Sequence, residues 1–249
     1  MRPIRVLYAI GSLDRGGTEC QLVELLGRLD RRRFQPAVVC LEAAGALAGS
    51  VRDLGVPVYV CGYQGFRIKR HPVRTLAALA RLRRAITSFR PDIVHGMLFW
   101  GYVLGTLAAR SAGVAAVVAA RRSLGHHRSA HSPRVRAIEA AANRRVDLFV
   151  ANSEAVREDA IRGEGLPPEK VRVLYNGVDV SRFRAIPKDE ARARLGISPD
   201  VTLVVVVANL IHYKGHHVLL EALRTIDPGC RRPLVVLIGD GSERDALLA

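Results

Sequence analysis

Aromatic residues are scarce in this chain, and acidic residues are scarce in its first half. Tryptophan occurs once, and Phe, Tyr and Trp together make up 5% of 249 residues. Single-stranded nucleic acid is held on aromatic platforms between basic residues, so their shortage argues against that ligand. Long apolar runs are missing too. The nearest, 97–120, is broken by Gly101, Gly105, Arg110, Ser111 and Gly113 and reads as a helix followed by a strand. The N-terminus has neither the apolar length nor the small-residue cleavage site of a signal peptide. No CxxC pair occurs among Cys20, Cys40, Cys61 and Cys230, so the expectation is four buried free thiols in a cytoplasmic protein.

The charge is present but lopsided. Residues 1–150 hold 24 Lys and Arg against 9 Asp and Glu, whereas residues 151–249 hold 14 of each. The net charge of +15 therefore belongs to the first part, which is expected to face something anionic. A helix over 72–89 carries much of it. Leu76, Leu79, Leu82, Ile86 and Phe89 form its apolar stripe, with Arg74, Arg81 and Arg84 opposite. Phe66, Arg67, Ile68, Lys69 and Arg70 lead into it, and the combination suits an anionic membrane surface. A solvated helix packed on a sheet explains the same pattern.

Strand and helix patterns alternate through 4–174. Strands are expected at 4–10, 36–41, 56–61, 93–95, 114–119, 148–151 and 171–174. Helices fall between them at 18–29, 47–54, 72–89, 98–111, 135–143 and 154–164. Repeated βα units with short links mean a parallel, doubly wound sheet. Residues 176–200 break the rhythm with Asn176-Gly177, Pro187 and Gly196. A fresh set follows: strand 202–208, helix 216–226 and strand 234–238, with Ser242 and Asp245 as an N-cap pair for another helix. The β-branched run 204–207 reads as a strand buried on both faces.

Several turns fall where open α/β sheets bind ligands, at the carboxyl ends of strands. Lys214-Gly215 precedes a helix, whose free N–H groups favour an anion. GSLDRGGT at 11–18 also opens a helix, but Gly17 stands where a P-loop needs lysine. It can approach a phosphate or a sugar, and a plain turn fits equally. His95 ends a strand and points towards a ligand crevice, as a hydroxyl partner, a proton carrier or a core histidine. Arg121, Arg122 and Ser123 follow another strand, as do Asn152 and Ser153. GHHRSAH at 125–131 places His127 and His131 four apart, but the basic neighbours and lack of carboxylates argue against a metal.

Six segments, taken together, resemble the retaining glycosyltransferases of family GT4. They are GGTE at 16–19, PDIVH at 91–95, VANSEAVRE at 150–158, VRVLYNGVDVSRF at 171–183, VVANLIHYKGHHVLLEAL at 206–223 and LIGDGSERDAL at 237–247. The resemblance implies an α/β protein of GT-B fold, with two Rossmann-like doubly wound domains facing a cleft. Residues 1–178 would form the acceptor-side domain and 179–200 a linker. Residues 201–249 would start the nucleotide-sugar domain, incomplete in this chain. It further implies transfer of a sugar from a UDP- or GDP-sugar to a lipid-linked or polysaccharide or cell-surface glycan acceptor. Configuration would be retained, with no metal or other cofactor.

By the same resemblance, Lys214, Asn209, Gly16 and Gly17 would meet the donor diphosphate. Gly239, Asp240 and Gly241 would lie near the nucleotide. Arg121, Arg122, Ser153 and Glu19 would line the acceptor side, with His95 as the catalytic candidate. The chain departs from the family at Ala208-Asn209, where many members carry Gly-Arg, and at Arg122, where many carry histidine. A later loop with two glutamates would lie beyond Ala249, so the 249-residue piece is expected to be inactive by itself. Its expected partners are a nucleotide-sugar, a glycan or lipid-linked acceptor and the inner face of the plasma membrane. Nucleic acid is not expected. A sugar-nucleotide epimerase of similar architecture and a non-catalytic basic binding module are the alternatives.

Overall fold

The computed structural model describes residues 2–63, 72–125, 131–227 and 229–248. The chain divides into two units, Met1–Val178 and Asp179–Ala249.

The first unit is built on seven parallel strands. They are β1 (Ile4–Ile10), β2 (Phe34–Cys40), β3 (Val58–Val60), β4 (Ile93–Gly96), β5 (Ala116–Arg121), β6 (Leu148–Ala151) and β7 (Val171–Val173), in spatial order β3-β2-β1-β4-β5-β6-β7. The helices are α1 (Gly17–Arg28), α2 (Ala48–Asp53), α3 (Pro72–Phe89), α4 (Phe99–Ser111), α5 (Pro133–Asn143) and α6 (Glu154–Glu164). Alternation along β1 feeds two cores. Leu7 and Ala9 join Leu82, Ile86, Val103 and Phe149 on one face. Val6, Tyr8 and Ile10 join Leu22, Leu26 and Val51 on the other. The strand order reverses between β1 and β4, which creates a crevice at their carboxyl ends.

Helix α4 lies unusually close to β1. A Cβ on Gly101 would stand 2.6 Å from the Ala9 carbonyl oxygen and 2.8 Å from the Cα of Ile10. One on Gly105 would stand 2.9 Å from the Cβ of Ala9. The missing side chains let the helix backbone settle on the strand that heads the crevice.

The second unit holds α7 (Lys188–Arg194), β8 (Leu203–Val207), α8 (His216–Arg224), β9 (Leu234–Ile238) and α9 (Arg244–Leu248), with β8 and β9 parallel. Helix α7 falls inside the stretch read from sequence as linker. Pro187 begins it rather than breaking a fold, because a proline at a helix start loses no needed N–H. Asp189 and Glu190 lie in its first turn, and Arg192 and Arg194 in its last, matching the helix dipole. Arg192 is buried and donates to the carbonyls of Ser198, Pro199 and Val201 at 2.6, 3.3 and 2.9 Å.

Other expectations are corrected. β8 is not buried on both faces: Val205 and Val207, two residues apart and so on one face, are 48% and 75% exposed. Cys40 and Cys61 are buried, but Cys20 and Cys230 are exposed, and all four are free. Leu25 and Leu76 are exposed, and Thr75 takes the buried place on α3. Arg81 does not face solvent alone; it donates to the Cys61 carbonyl at 3.0 Å. The basic lead-in at 66–70 and His127 lie outside the described residues. Among the described residues no helix is long and apolar enough to cross a membrane.

Gly101→Ala is expected to destabilise the first unit by about 1–3 kcal/mol through overpacking against β1. Gly49→Ala, in open space on α2, should be neutral or slightly stabilising. Urea melts followed by circular dichroism compare the two.

Candidate functional site

The β1–α1 loop is fixed before it reaches the crevice. Buried Leu13 donates to the Ala44 carbonyl at 3.1 Å and accepts from Leu47 N–H at 2.7 Å. Gly16 then caps α1 in an extended conformation, and Gly17 is exposed with open space beside it. Glu19 sits in the first helical turn, only 9% exposed. Its carboxylate turns back onto the helix start, where it accepts from its own main-chain N–H. A side chain at Gly16 would run into it. Burial pushes the Glu19 carboxyl above the usual range. Its N–H bond opposes the shift, Asp14 adds to it and Arg122 opposes it.

His95 on β4 packs beside Tyr8 of β1, with ring centroids 5.5 Å apart. Burial, with the Arg122 charge second, lowers its pKa from 6.5 to about 4. The ring is therefore neutral near pH 7. Its buried Nε2 has no partner among the described residues. Further along the same loop, Leu98 holds a positive φ of 58°, a conformation that costs a non-glycine residue energy and often marks functional sites. Nothing in the sequence signals it.

Arg121 and Arg122 part company at the end of β5. Arg121 turns inward and is 7% exposed. It donates to both oxygens of Glu164 at 2.8–3.1 Å and to Asn143 Oδ1 at 2.9 Å. Its guanidinium lies 4.0 Å from the Tyr102 ring centroid, and Tyr102 donates to Glu139. Arg121, expected to line the cleft, is committed to a buried ion pair. Arg122 turns the other way, half-buried, and donates to Asn176 Oδ1 at 2.6 Å. Burial lowers its pKa and Glu19 raises it. Among the described residues no carboxylate lies within 4.0 Å of it. A 260 Å³ pocket beside the pair is lined by Leu98, Phe99, Arg121, Arg122 and Ser123.

Ser153, expected on the acceptor side, caps α6: its hydroxyl accepts from Val156 N–H at 3.2 Å. Its neighbour Asn152 bonds the Arg122 carbonyl at 3.1 Å and leaves a buried Oδ1 without a partner among the described residues. Glu19, His95, Arg122 and Asn152 thus fall at or after the carboxyl ends of the neighbouring strands β1, β4, β5 and β6.

In the second unit the two carboxyl-end turns are laced together. Leu210 N–H donates to the Asp240 carbonyl, and Glu243 N–H to the Leu210 carbonyl, each at 2.9 Å. Side chains at Gly239 and Gly241 would run into the carbonyls of Ala208 and Leu210, so glycine is required at both places. Asn209 and Asp240 are exposed there. Lys214 is exposed, with Nζ 4.9 Å from the Tyr213 ring centroid and no carboxylate partner among the described residues. Gly215 takes φ 74° to start α8, a left-handed turn that favours glycine. His216 follows, 3% exposed, with both ring nitrogens unpartnered among the described residues. Among the described residues no group of three or more His, Cys, Asp or Glu side chains is placed to hold a metal.

The family model for Glycosyltransferase Family 4 matches residues 15–182, more than half of the sequence. The chain belongs to glycosyltransferase family 4. A D-inositol 3-phosphate glycosyltransferase of Streptomyces scabiei is 28% identical over 261 residues, covering 97% of this chain and 58% of that protein. Anabaena HepE, solved in complex with UDP-glucose, superposes with a TM-score of 0.75 at 23% identity, over 97% of this chain and 63% of HepE. A UDP-N-acetylglucosamine 2-epimerase of Rickettsia bellii superposes at 0.58 with 16% identity, over 99% of this chain and 64% of the enzyme. These two likenesses establish the fold alone. The chain spans about 58% of the Streptomyces relative.

The geometry of the family-4 unit can be tested at two residues. Arg121→Ala removes the cation that faces both oxygens of buried Glu164, and should cost about 3–5 kcal/mol in a urea melt. His95 titrates lower in the folded protein than its ordinary 6.5, so folding favours its neutral form. That stability is complete above pH 6.5 and is lost as pH falls towards about 4. Melts across this window should show His95→Gln with a shallower pH slope than the native chain.

Proposed function

We propose that this family-4 chain is part of an enzyme that moves a sugar from a UDP-sugar or GDP-sugar to a glycan or lipid-linked acceptor, with retention of configuration. The observation that carries this reading is the second unit's pair of laced turns. They present Lys214, Asn209 and the start of α8 beside Gly239, Asp240 and Gly241. Lys214 and the α8 N–H groups suit a diphosphate, whose charge grows as the sugar leaves. Gly239, Asp240 and Gly241 suit the nucleotide. These groups meet the leaving charge without a metal ion. The UDP-glucose complex of HepE supports a nucleotide-sugar donor, and UDP is the preferred nucleotide on that ground.

The first unit is the acceptor side of the reading. Arg122 suits an anionic group, and Glu19 and Asn152 suit hydroxyls. Gly16 and Gly17 offer main-chain N–H groups. His95 is neutral and serves as a hydroxyl partner or proton carrier. The Streptomyces relative is named for D-inositol 3-phosphate, a hydroxyl-rich and anionic molecule, which supports that chemistry. Association with an anionic membrane surface belongs to the same proposal. Its basis is α3, where Arg74, Arg83 and Arg84 are exposed beside exposed Val73 and Leu76.

Lys214→Ala should weaken UDP binding about tenfold or more, the usual worth of a charge-assisted contact to phosphate. Titration calorimetry on the native and substituted chains measures it. Equal UDP affinity in the two would overturn the donor assignment.

A further inference from the structure

A cavity of 550 Å³ opens between α5 and the end of α6, and none of Glu19, His95, Arg122 or Lys214 lines it. Its size is that of a small-molecule site. Its inner wall is fixed. Glu139 and Glu164 line it and also line the smaller pocket beside Arg122. Both carboxylates are held from the inside. Glu164 accepts from Arg121 at 2.8 Å and from Asn143 Nδ2 at 3.3 Å, and Glu139 accepts from the Tyr102 hydroxyl. A cavity walled by such a network is formed before any ligand arrives, which lowers the cost of binding.

Three cations, Arg136, Arg144 and Lys170, stand around this one cavity. Arg136 and Arg144 lie on one face of α5, their Cα atoms about 12 Å apart along the axis, so both side chains can reach one small molecule. Both are exposed, and among the described residues neither has a carboxylate within 4.0 Å. Lys170 is half-buried, and its Nζ donates to the Val146 carbonyl at 3.2 Å, one bond for an ammonium with three protons to give. Arg121 balances Glu164, so the three cations face one further carboxylate, Glu139. The cavity therefore favours an anion. The end of α6 adds acceptors. The last carbonyls of a helix have no partner within it. Gly163 and Gly165, which line the cavity there, have no side chains to cover them. Ala140, Leu166 and Pro167 supply apolar wall.

We propose that this cavity is a second ligand site on the first unit and that it takes a sugar phosphate. Arg136, Arg144 and Lys170 meet the phosphate. The carbonyls at the end of α6 and the Glu139 carboxylate accept from the sugar hydroxyls, and the C–H face of the ring lies on Ala140, Leu166 and Pro167. The proposed transfer uses none of these residues, so a sugar phosphate bound here is neither donor nor acceptor.

The test is calorimetric titration of the full chain with glucose 1-phosphate and with inorganic phosphate. Glucose 1-phosphate should bind the native chain, and more tightly than inorganic phosphate, which lacks the hydroxyl and ring contacts. Arg136→Gln with Arg144→Gln should lower the glucose 1-phosphate affinity about tenfold or more, the worth of charge-assisted contacts to phosphate. Both side chains are exposed, so this chain should keep its fold, which circular dichroism checks. Arg122→Gln with Lys214→Ala removes the two side-chain cations to which the transfer reading gives anions, and should leave glucose 1-phosphate binding in place. Absence of glucose 1-phosphate binding overturns the proposal, as does binding that survives Arg136→Gln with Arg144→Gln. Binding lost with Arg122→Gln and Lys214→Ala also overturns it and gives the sugar phosphate to the transfer site. Equal affinity for inorganic phosphate overturns the assignment to a sugar phosphate.

Discussion

The buried guanidinium of Arg121 sets much of the first unit. It ties the end of β5 to Glu164 on α6 and Asn143 on α5, and it lies against Tyr102 on α4. Two charges at this depth are tolerable only because both Glu164 oxygens and the aromatic face meet the cation. The pairing also decides the direction of the next residue. Successive side chains on an extended strand leave on opposite sides. With Arg121 held inward, Arg122 emerges on the α1 side of the sheet and reaches Asn176. The structural arginine thus positions the chemical one.

The crevice gains its character from that arrangement rather than from any single group. Strand order reverses at β1 and β4, so the loops after β1 and β4 diverge and leave a gap. Into it project a carboxylate that covers its own helix start, a neutral imidazole and a half-buried cation. Arg122 lowers the pKa of His95 and opposes the rise at Glu19. The close seat of α4 on β1, possible because Gly101 and Gly105 lack side chains, fixes the floor. Strain at Leu98 falls at the same rim.

The second unit works by backbone geometry. Two glycines let one carboxyl-end turn lie on another, and a left-handed Gly215 starts α8 directly after Lys214. The cation and the helix N–H groups are brought together by chain connectivity alone. Local order of this kind needs no distant contact, which makes the Lys214-Gly215 turn legible from its neighbouring residues.

The sequence by itself determined the alternating strand–helix plan, the parallel sheet and the family, because these rest on periodicity and turn residues close together in the chain. Helix α3 and strand β6 fall at their expected bounds. It also marked Lys214, His95 and the Gly16–Gly17 turn as ends of strands. Tertiary structure alone decided what each polar residue does. Arg121 and Arg122 are adjacent and identical in type, yet one is core and the other lines the crevice, because Glu164 lies 43 positions away in the chain. Ser153 is a cap, and Glu19 turns onto its own helix. The helix in 188–194 is hidden because its support comes from carbonyls wrapped around Arg192 rather than from an apolar stripe. Periodicity reports which way a residue faces along one element; only packing brings together partners that are far apart in sequence, and the charges of a site are set by those partners.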